Sequence, residues 1–242
     1  MPAPTPLAGR NALVTGASRG IGAATARVLA AAGARVALVA RNEIALRALA
    51  NEIGADAVVL PCDLTEIEAT QRAAADAITA LGDAPDILVS NAGIFELAPL
   101  AEMPVDVFER TMQTNLVAPF VLLRAFLPRM RERGSGHVVT IGSIADRMVF
   151  PENGAYSAAK YGARAMHEVL RAETRGTGVR ATLVSPGPVN TPLWDDVLSQ
   201  GAGRQLPTRE IMLDPAAVAD AVLYVTTRDA AVDIDELRLS HA

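Results

Sequence analysis

Short apolar runs alternate with alanine-rich amphipathic stretches along the chain. The runs that predict strands fall at residues 12–15, 35–40, 57–61, 86–90, 137–141, 180–185 and 234–239. Helical periodicity marks residues 21–32, 43–53, 66–81, 105–133 with a break near Pro119, 155–174 and 215–226. Because strands that alternate with helices favour a parallel sheet covered on both faces, the sequence predicts an α/β fold. We expect one domain, 1–242, with a doubly wound parallel sheet of about seven strands flanked by helices.

Size and composition exclude several classes of protein. The chain has 242 residues, half of them hydrophobic, a length that fits one domain with one core. No apolar stretch approaches the roughly 20 residues that cross a bilayer, and no basic start precedes an apolar run. The formal charge of -5 comes without a basic cluster. We therefore expect a cytoplasmic protein that acts on small molecules, with no nucleic acid and no membrane among its partners.

Residues that ligate metals or form disulfides are few. The single cysteine, Cys62, ends an apolar run, which predicts a small core residue. The histidines, His137, His167 and His241, have no ligand spacing. We interpret them as structural or surface residues and expect no metal.

A glycine-rich turn follows the first predicted strand and opens the first predicted helix. Its sequence, Thr-Gly-Ala-Ser-Arg-Gly-Ile-Gly, occupies residues 15–22. Glycines let the backbone approach a pyrophosphate, and a helix N-terminus supplies free amide donors and a partial positive charge. In this context the pattern predicts a Rossmann-type dinucleotide site, although a glycine pattern alone also fits an ordinary strand-to-helix turn. The residues expected at the phosphates are Gly16, Ser18, Arg19, Gly20, Ile21 and Gly22.

The end of the second predicted strand bears on the choice between NAD and NADP. An acidic residue there would accept the adenosine ribose hydroxyls of NAD. This chain has Ala40 followed by Arg41, and Arg19 of the glycine turn is a second guanidinium on the same side. Two guanidiniums suit a 2'-phosphate, so we expect NADP(H) to be preferred over NAD(H). The alternative is that both arginines are solvated surface residues.

Two reactive side chains lie four residues apart in the helix predicted at 155–174. At about 100° per residue, Tyr156 and Lys160 share one face. A free tyrosine has a pKa near 10, and a cation within about 4–6 Å lowers it, which makes the pair a candidate acid/base couple. Ser143 lies thirteen residues before the tyrosine, where its hydroxyl can orient a reacting oxygen.

Together these motifs resemble the short-chain dehydrogenase/reductase family, specifically its single-domain members with Tyr-x-x-x-Lys, over nearly the whole chain. Asp63-Leu64, the Asn-Ala-Gly sequence at 91–93, Asn115 and the segment 186–191 add to the resemblance. It implies that Asp63 contacts the adenine amino group and that 91–93 lines the cofactor and steadies the sheet. Val189 and Thr191 would hold the nicotinamide carboxamide. The cofactor residues implied in this way are Asp63, Leu64, Asn91, Ala92, Gly93, Tyr156, Lys160, Pro186, Gly187, Val189 and Thr191.

The resemblance also implies a reaction, the interconversion of a ketone and a secondary alcohol by hydride transfer. Tyr156 would exchange a proton with the substrate oxygen, and Ser143 would orient that oxygen. Lys160 would lower the tyrosine pKa and bind the nicotinamide ribose. Asn115 would hold a water that connects the lysine to solvent.

Two other functions remain open at this stage. A cofactor-binding sensor or structural subunit could keep the fold without turnover, since fold does not imply function. The complete set of Ser143, Tyr156 and Lys160 speaks against it. An epimerase or dehydratase of nucleotide sugars ranks third, because the chain lacks the extra substrate domain expected of such relatives.

The sequence says less about the substrate. A mainly apolar pocket favours a medium-sized ketone or hydroxy compound. Arg147 could pair with a substrate carboxylate, or it could be exposed or paired with Asp146. The irregular stretch 186–213 predicts a substrate lid. Long apolar helices predict a homotetramer or dimer. The candidate pocket residues are Ile94, Phe95, Ile144, Ala145, Val149, Phe150, Leu193 and Trp194.

Overall fold

Seven parallel strands form one sheet at the centre of the protein. The computed structural model describes residues 5–54, 56–199 and 206–242. The strands are β1 Asn11–Thr15, β2 Arg35–Ala40, β3 Val58–Pro61, β4 Ile87–Ser90, β5 Gly136–Ile141, β6 Val179–Pro186 and β7 Glu236–Leu239. Neighbouring strands pair in the order β3-β2-β1-β4-β5-β6-β7, and every pair is parallel. The prediction of a doubly wound α/β sheet of about seven strands is confirmed.

Helices cover both faces of the sheet. Residues that alternate along a strand point to opposite faces, so Ala12 and Val14 of β1 pack in one apolar cluster while Leu13 packs in the other. The helices are α1 Gly20–Ala31, α2 Glu43–Ile53, α3 Ile67–Leu81, α4 Val105–Met112, α5 Ala118–Glu132, α6 Gly154–Thr174, α7 Asp195–Ser199 and α8 Pro215–Thr226. The first cluster includes residues of α1, α2 and α8, and the second includes residues of α3, α5 and α6.

Within the described residues, no helix combines the length and apolar character needed to span a membrane. The longest helix, α6, carries both of the reactive residues singled out from the sequence.

The helix predicted at 105–133 is interrupted close to Pro119, as expected. A π-helical turn, Gln113–Val117, separates α4 from α5, and it contains Asn115. Pro119 follows this turn in the first turn of α5, where helical residues precede it and its missing amide proton removes a helical hydrogen bond. The interruption coincides with Asn115, whose side chain forms hydrogen bonds with Ile94 in the segment after β4. Such widened turns are common at functional sites.

The order of the strands places a crevice between β1 and β4. The chain adds strands on one side of β1 through β3 and then continues on the other side with β4. Ligands of open α/β sheets bind at the carboxyl ends of the strands at this switch point. The Thr15 hydroxyl joins the two strands, because it accepts hydrogen bonds from the amides of Asn91 at 2.9 Å and Ala92 at 3.0 Å. The Asn91 side chain donates to the Thr15 carbonyl at 2.8 Å.

Candidate active site

A cleft of about 1080 Å³ opens at the carboxyl ends of the strands. It collects nearly all of the residues that the sequence singled out, and it runs from the glycine turn to Trp194 in the 186–199 segment. Gly22 and Asn115 do not line it and act from behind its wall. The predicted residues on its surface are Gly16, Ser18, Arg19, Gly20, Ile21, Arg41, Asp63, Leu64, Asn91, Ala92, Gly93, Ser143, Tyr156, Lys160, Pro186, Gly187, Val189 and Thr191.

The glycine turn leaves no room for a side chain at Gly16 or at Gly22. Gly16 has φ of 67°, a left-handed conformation that favours glycine. A Cβ at Gly22 would lie 2.2 Å from the carbonyl oxygen of Gly16. The first turn of α1 contains no acidic residue, and Arg19 at its N-cap makes no side-chain capping bond. The backbone cradle and the uncapped amides fit the pyrophosphate of a dinucleotide.

At the other side of the turn, the two arginines are exposed on the cleft. Arg19 and Arg41 both line it, and the buried Ala40 offers no carboxylate at the end of β2. The next residue, Asn42, caps α2 by accepting a hydrogen bond from the amide of Ala45 at 3.0 Å. The guanidiniums are therefore the charged groups at this end of the cleft that can face a phosphate.

Asp63 lies on the cleft wall after β3. One of its carboxylate oxygens, Oδ1, accepts hydrogen bonds from the amide of Thr65 at 3.0 Å and from the Thr65 hydroxyl at 2.9 Å. These bonds fix the orientation of the carboxylate at the cleft. Cys62 beside it is buried, as predicted for a small core residue, and burial raises the pKa of its thiol.

Tyr156 and Lys160 share one face of α6, as their spacing predicted. The lysine Nζ lies 5.6 Å from the centre of the tyrosine ring and donates a hydrogen bond to the Ile141 carbonyl at 2.8 Å. This bond anchors the buried ammonium to the end of β5. Ser143 follows that strand, and its hydroxyl accepts a hydrogen bond from the amide of Ala145 at 3.1 Å. The three side chains therefore meet at the carboxyl ends of the strands.

Burial dominates the proton affinities of this group. Burial raises the pKa of Tyr156 to about 12, a hydrogen bond with Ser143 opposes the rise, and the negative charge of Asp146 adds to it. The expectation that Lys160 lowers the tyrosine pKa stays a prediction, since burial, Ser143 and Asp146 are the causes of this shift. Burial lowers the pKa of Lys160 to about 8, although the Asp146 charge acts in the opposite direction.

Asn115 uses its side chain inside the protein. Its Oδ1 accepts a hydrogen bond from the amide of Ile94 at 2.9 Å, and its Nδ2 donates to the Ile94 carbonyl at 2.9 Å. This reciprocal pair joins the π-helical turn to the segment after β4. The expectation that Asn115 holds a water stays a prediction.

Arg147 does not line the cleft. Its Nε donates to Asp146 at 2.8 Å, and its guanidinium also forms an ion pair with Glu236 of β7. The hypothesis that Arg147 binds a substrate carboxylate is corrected accordingly, because two protein carboxylates hold this guanidinium. Val149, another candidate for the pocket, is exposed and also lies outside the cleft lining.

The other candidate pocket residues form an aromatic and aliphatic end of the cleft. The ring of Phe95 meets the ring of Tyr156 edge to face, with centroids 4.8 Å apart, and meets the Trp194 ring at 5.1 Å. Ile144, Ala145, Phe150 and Leu193 line the same cleft. The expected lid, 186–213, contributes Trp194 to this end, while its residues 200–205 lie outside those that the structure describes.

Sequence reasoning missed several polar residues of the cleft. Glu96 and Arg110 line it and form an ion pair at 2.7 Å. Asn153 at the N-cap of α6 is buried, and its side-chain oxygen has no hydrogen-bond partner within the described parts of the chain. Glu152 also lines the cleft and has φ of 64°. For Glu152 and Asn153 the available signal was their position just before Tyr156, since a helix N-terminus that carries a reactive residue also brings its cap to the site.

The histidines play the structural part predicted for them. His137 Nε2 and the Thr182 hydroxyl share a hydrogen bond of 2.8 Å, and His167 Nδ1 shares one of 3.0 Å with the Thr140 hydroxyl. Burial lowers the pKa of His137 to about 3 and that of His167 to about 4, so both rings are neutral at pH 7. Among residues 5–54, 56–199 and 206–242, no cluster of three potential metal ligands occurs.

Comparison with known proteins points to one family. A family model described as short chain dehydrogenase matches residues 10–202. The chain is 36% identical over 233 residues to a D-threitol dehydrogenase of Mycolicibacterium smegmatis, a match covering 93% of this chain and 89% of that protein. It is 39% identical over 237 residues to a glycine betaine reductase of Emericella nidulans, a match covering 96% of this chain and 19% of that much longer protein.

A solved structure gives the same result. A metagenomic short-chain oxidoreductase in complex with NADP superimposes with a TM-score of 0.83 at 34% identity, over 97% of this chain and 99% of that chain. The fold and the cleft therefore define a class of protein, those in which a Rossmann sheet holds a nicotinamide cofactor in a cleft at the ends of its strands. The chain belongs to the short-chain dehydrogenase/reductase family, whose members are oxidoreductases that act on CH–OH or carbonyl groups of small molecules with a nicotinamide cofactor.

Proposed function

We propose that this protein is an NADP(H)-dependent oxidoreductase that interconverts a ketone and a secondary alcohol, with Tyr156 as the acid/base. One observation carries the proposal. The Tyr156 phenol, close to Ser143 and to Lys160, lies in the same cleft as the glycine cradle of the dinucleotide. When bound, the nicotinamide supplies the hydride for reduction or accepts it for oxidation.

In the direction of reduction, the protein delivers the proton. A phenol with a pKa of about 12 is protonated at neutral pH, the form that donates to the oxygen of a carbonyl as it becomes an alcohol. The Ser143 hydroxyl orients the same oxygen and stabilises the charge that develops on it. With a pKa of about 8, Lys160 is largely an ammonium at pH 7, and it has three donors, of which Ile141 takes one. The others suit the hydroxyls of the nicotinamide ribose.

The choice of NADP over NAD rests on charge at the far end of the cleft. Arg19 and Arg41 are exposed on the cleft wall, and Ala40 replaces the carboxylate that would accept ribose hydroxyls. Guanidiniums suit a 2'-phosphate in geometry and charge. A similar structure with bound NADP supports this choice.

The substrate that fits the aromatic end is a medium-sized neutral carbonyl or hydroxy compound. Phe95 and Trp194 provide apolar contact, and the engagement of Arg147 by Asp146 and Glu236 leaves that guanidinium outside the pocket. The names of the relatives differ in substrate, so they support the reaction class rather than one compound. We also propose that the 186–213 segment acts as the lid over this end, with Trp194 as its contact.

The chain also presents apolar side chains that a second copy would bury. Large hydrophobic residues of α4, α5 and α6 are exposed, which supports a homotetramer or dimer formed through these helices. Light scattering tests this part of the proposal, and a monomer would contradict it. A cytoplasmic location stays a prediction of the sequence. The exposed residues are Val105, Phe108, Phe120, Tyr161 and Val169.

The proposal is tested by NADPH consumption against a panel of ketones, diketones and 3-oxo acids. The wild type should oxidise NADPH with some members of the panel, and Tyr156→Phe should lose this turnover while it still binds NADPH. The matched control is Tyr224→Phe, because Tyr224 lies exposed on α8, outside the cleft and not on the helices proposed to pair. Binding of NADPH without turnover in either direction would instead favour the sensor.

A further inference from the structure

A buried carboxylate lies directly behind the reactive group. Asp146 is 1% exposed and follows Ser143 in a single turn of 3-10 helix, residues Ile144–Asp146. It does not line the cleft, and the reaction proposed above gives it no part. A carboxylate is seldom buried without a partner or a task, because removing it from water is costly. Its contacts identify the task.

One oxygen of this carboxylate joins two segments of the active site. Asp146 Oδ2 accepts a hydrogen bond from the backbone amide of Ser143 at 3.2 Å and another from the hydroxyl of Ser185 at 2.5 Å. Ser185 lies near the end of β6, directly before the cofactor segment that begins at Pro186. The carboxylate therefore ties the turn that presents Ser143 to the strand that leads into the nicotinamide region.

The backbone around this contact leaves space for it. A Cβ added to Gly142 would lie 2.5 Å from Asp146 Oδ2 and 2.6 Å from the Ser185 hydroxyl oxygen. Only glycine fits between β5 and the turn without displacing the pair. Gly142 and Asp146 thus form one local arrangement, in which the glycine admits the carboxylate to the back of the site.

The other oxygen faces two arginines that hold the charge. Asp146 Oδ1 accepts from Arg147 Nε at 2.8 Å and lies 3.6 Å from Arg164 Nη1 of α6. Both guanidiniums also pair with Glu236 of β7. The charged groups around Asp146 are therefore Arg147 in its own turn, Arg164 and Lys160 on α6, and Glu236 on β7.

We propose that Asp146 is a positioning residue for the reaction: its carboxylate fixes the Ser143 turn against β6 and places a negative charge behind Tyr156 and Lys160. The inference rests on the proposed function of the same site. The Asp146 charge raises the pKa of Lys160 against the larger lowering by burial, and it also raises the pKa of Tyr156. Both effects keep the pair protonated near neutral pH, the state needed to donate a proton to a carbonyl.

The sequence offers a direct test, because Lys160 is the only lysine in the chain. Protein made with ¹³C-labelled lysine gives one lysine side-chain signal, whose chemical shift follows the charge of this ammonium through a pH titration. The wild type should titrate near pH 8. Asp146→Asn should titrate at lower pH, because the amide keeps the shape of the side chain and removes its charge.

The matched control is Glu236→Gln. It breaks the same ion network at Arg147 and Arg164, yet Glu236 makes no hydrogen bond with Ser143 within the described residues, and Asp146 is the charge that shifts the pKa of Lys160 and Tyr156. We expect it to titrate like the wild type. If Asp146→Asn destabilises the fold, Asp146→Asn combined with Arg147→Gln keeps the net charge and should still titrate below the wild type, by a smaller amount because a neighbouring cation is also removed.

Turnover provides the second readout. Asp146→Asn should lower kcat for carbonyl reduction by about 10-fold to 100-fold through misplacement of Ser143, with a smaller change in KM. As the pH is raised, the rate of Asp146→Asn should begin to decline at a lower pH than the rate of the wild type. Glu236→Gln should keep the wild-type pH profile. Equal titration midpoints in wild type, Asp146→Asn and the double variant would overturn the inference. A wild type without turnover would refute the proposed function, and the lysine titration would still decide the part played by the Asp146 charge.

Discussion

The preference for NADPH is tested most simply by removing one guanidinium, in the variant Arg41→Ala. Arg41 is exposed and lines the cleft beyond β2, next to Ala40. A hydrogen bond between charged groups contributes about 1.5–3 kcal/mol, and solvent screening at an exposed site favours the lower end. A loss of about 1.5 kcal/mol corresponds to a roughly tenfold weaker affinity. We expect Kd for NADPH to rise about tenfold and Kd for NADH to stay unchanged.

The assay is fluorescence titration of both cofactors against wild type and two variants. Arg47→Ala is the control, because it removes the same charge from the neighbouring helix while its guanidinium pairs with Glu43 at 2.6 Å and lies outside the cleft. The control should bind both cofactors like the wild type. Equal weakening of NADPH and NADH by Arg41→Ala, or no weakening of either, would refute the 2'-phosphate contact.

Two further predictions concern the glycine turn and the buried histidines. Gly22→Ala should weaken NADPH binding and lower the Tm, because its Cβ would lie 2.2 Å from the Gly16 carbonyl oxygen; unchanged binding and melting would contradict the packing described. Since burial lowers the pKa of His167 to about 4 and of His137 to about 3, below the ordinary 6.5, the unfolded chain takes up protons first as pH falls. The contribution of the two neutral histidines to the free energy of unfolding should be fully present above about pH 6.5 and should decline by about 2 kcal/mol per histidine at pH 5. Urea unfolding measures this decline, which should be smaller in His167→Gln.

Much of the fold could be predicted because its signals are local. Buried parallel strands read as apolar runs, and six of the seven predictions match the observed strand to within about one residue at each end. The helix predicted at 215–226 matches α8, whose N-cap residue Asp214 accepts a hydrogen bond from the amide of Ala216 at 2.7 Å. The strand predicted at 234–239 begins later, at Glu236, at the edge of the sheet where pairing on one side sets the limit.

Features that depend on distant contacts escaped prediction. Reciprocal hydrogen bonds between Asn115 and Ile94 join the π-helical turn to the segment after β4, and no local pattern encodes that pairing. The burial that raises the pKa of Tyr156 to about 12 is likewise a property of the packed site, whereas spacing in the helix carries only the proximity of Lys160.

The same holds for the charges behind the site. Arg147 read as a candidate for substrate binding because it follows Ser143 closely, but Glu236 of the last strand comes to it through the sheet order. Asp146 read as an ordinary charged neighbour. Its burial appears only once β6 and β7 are in place.

The central claim is that Tyr156 delivers the proton while the cofactor in the same cleft delivers the hydride, and isotope tracing tests both together. Wild type and Tyr156→Phe are incubated with NADPH deuterated at the transferable position and a ketone from the panel, and the product is examined by mass spectrometry. The account predicts an alcohol with deuterium on its carbinol carbon from the wild type, and loss of that product in the variant with NADPH binding retained. Deuterated alcohol formed at the wild-type rate by Tyr156→Phe would contradict it.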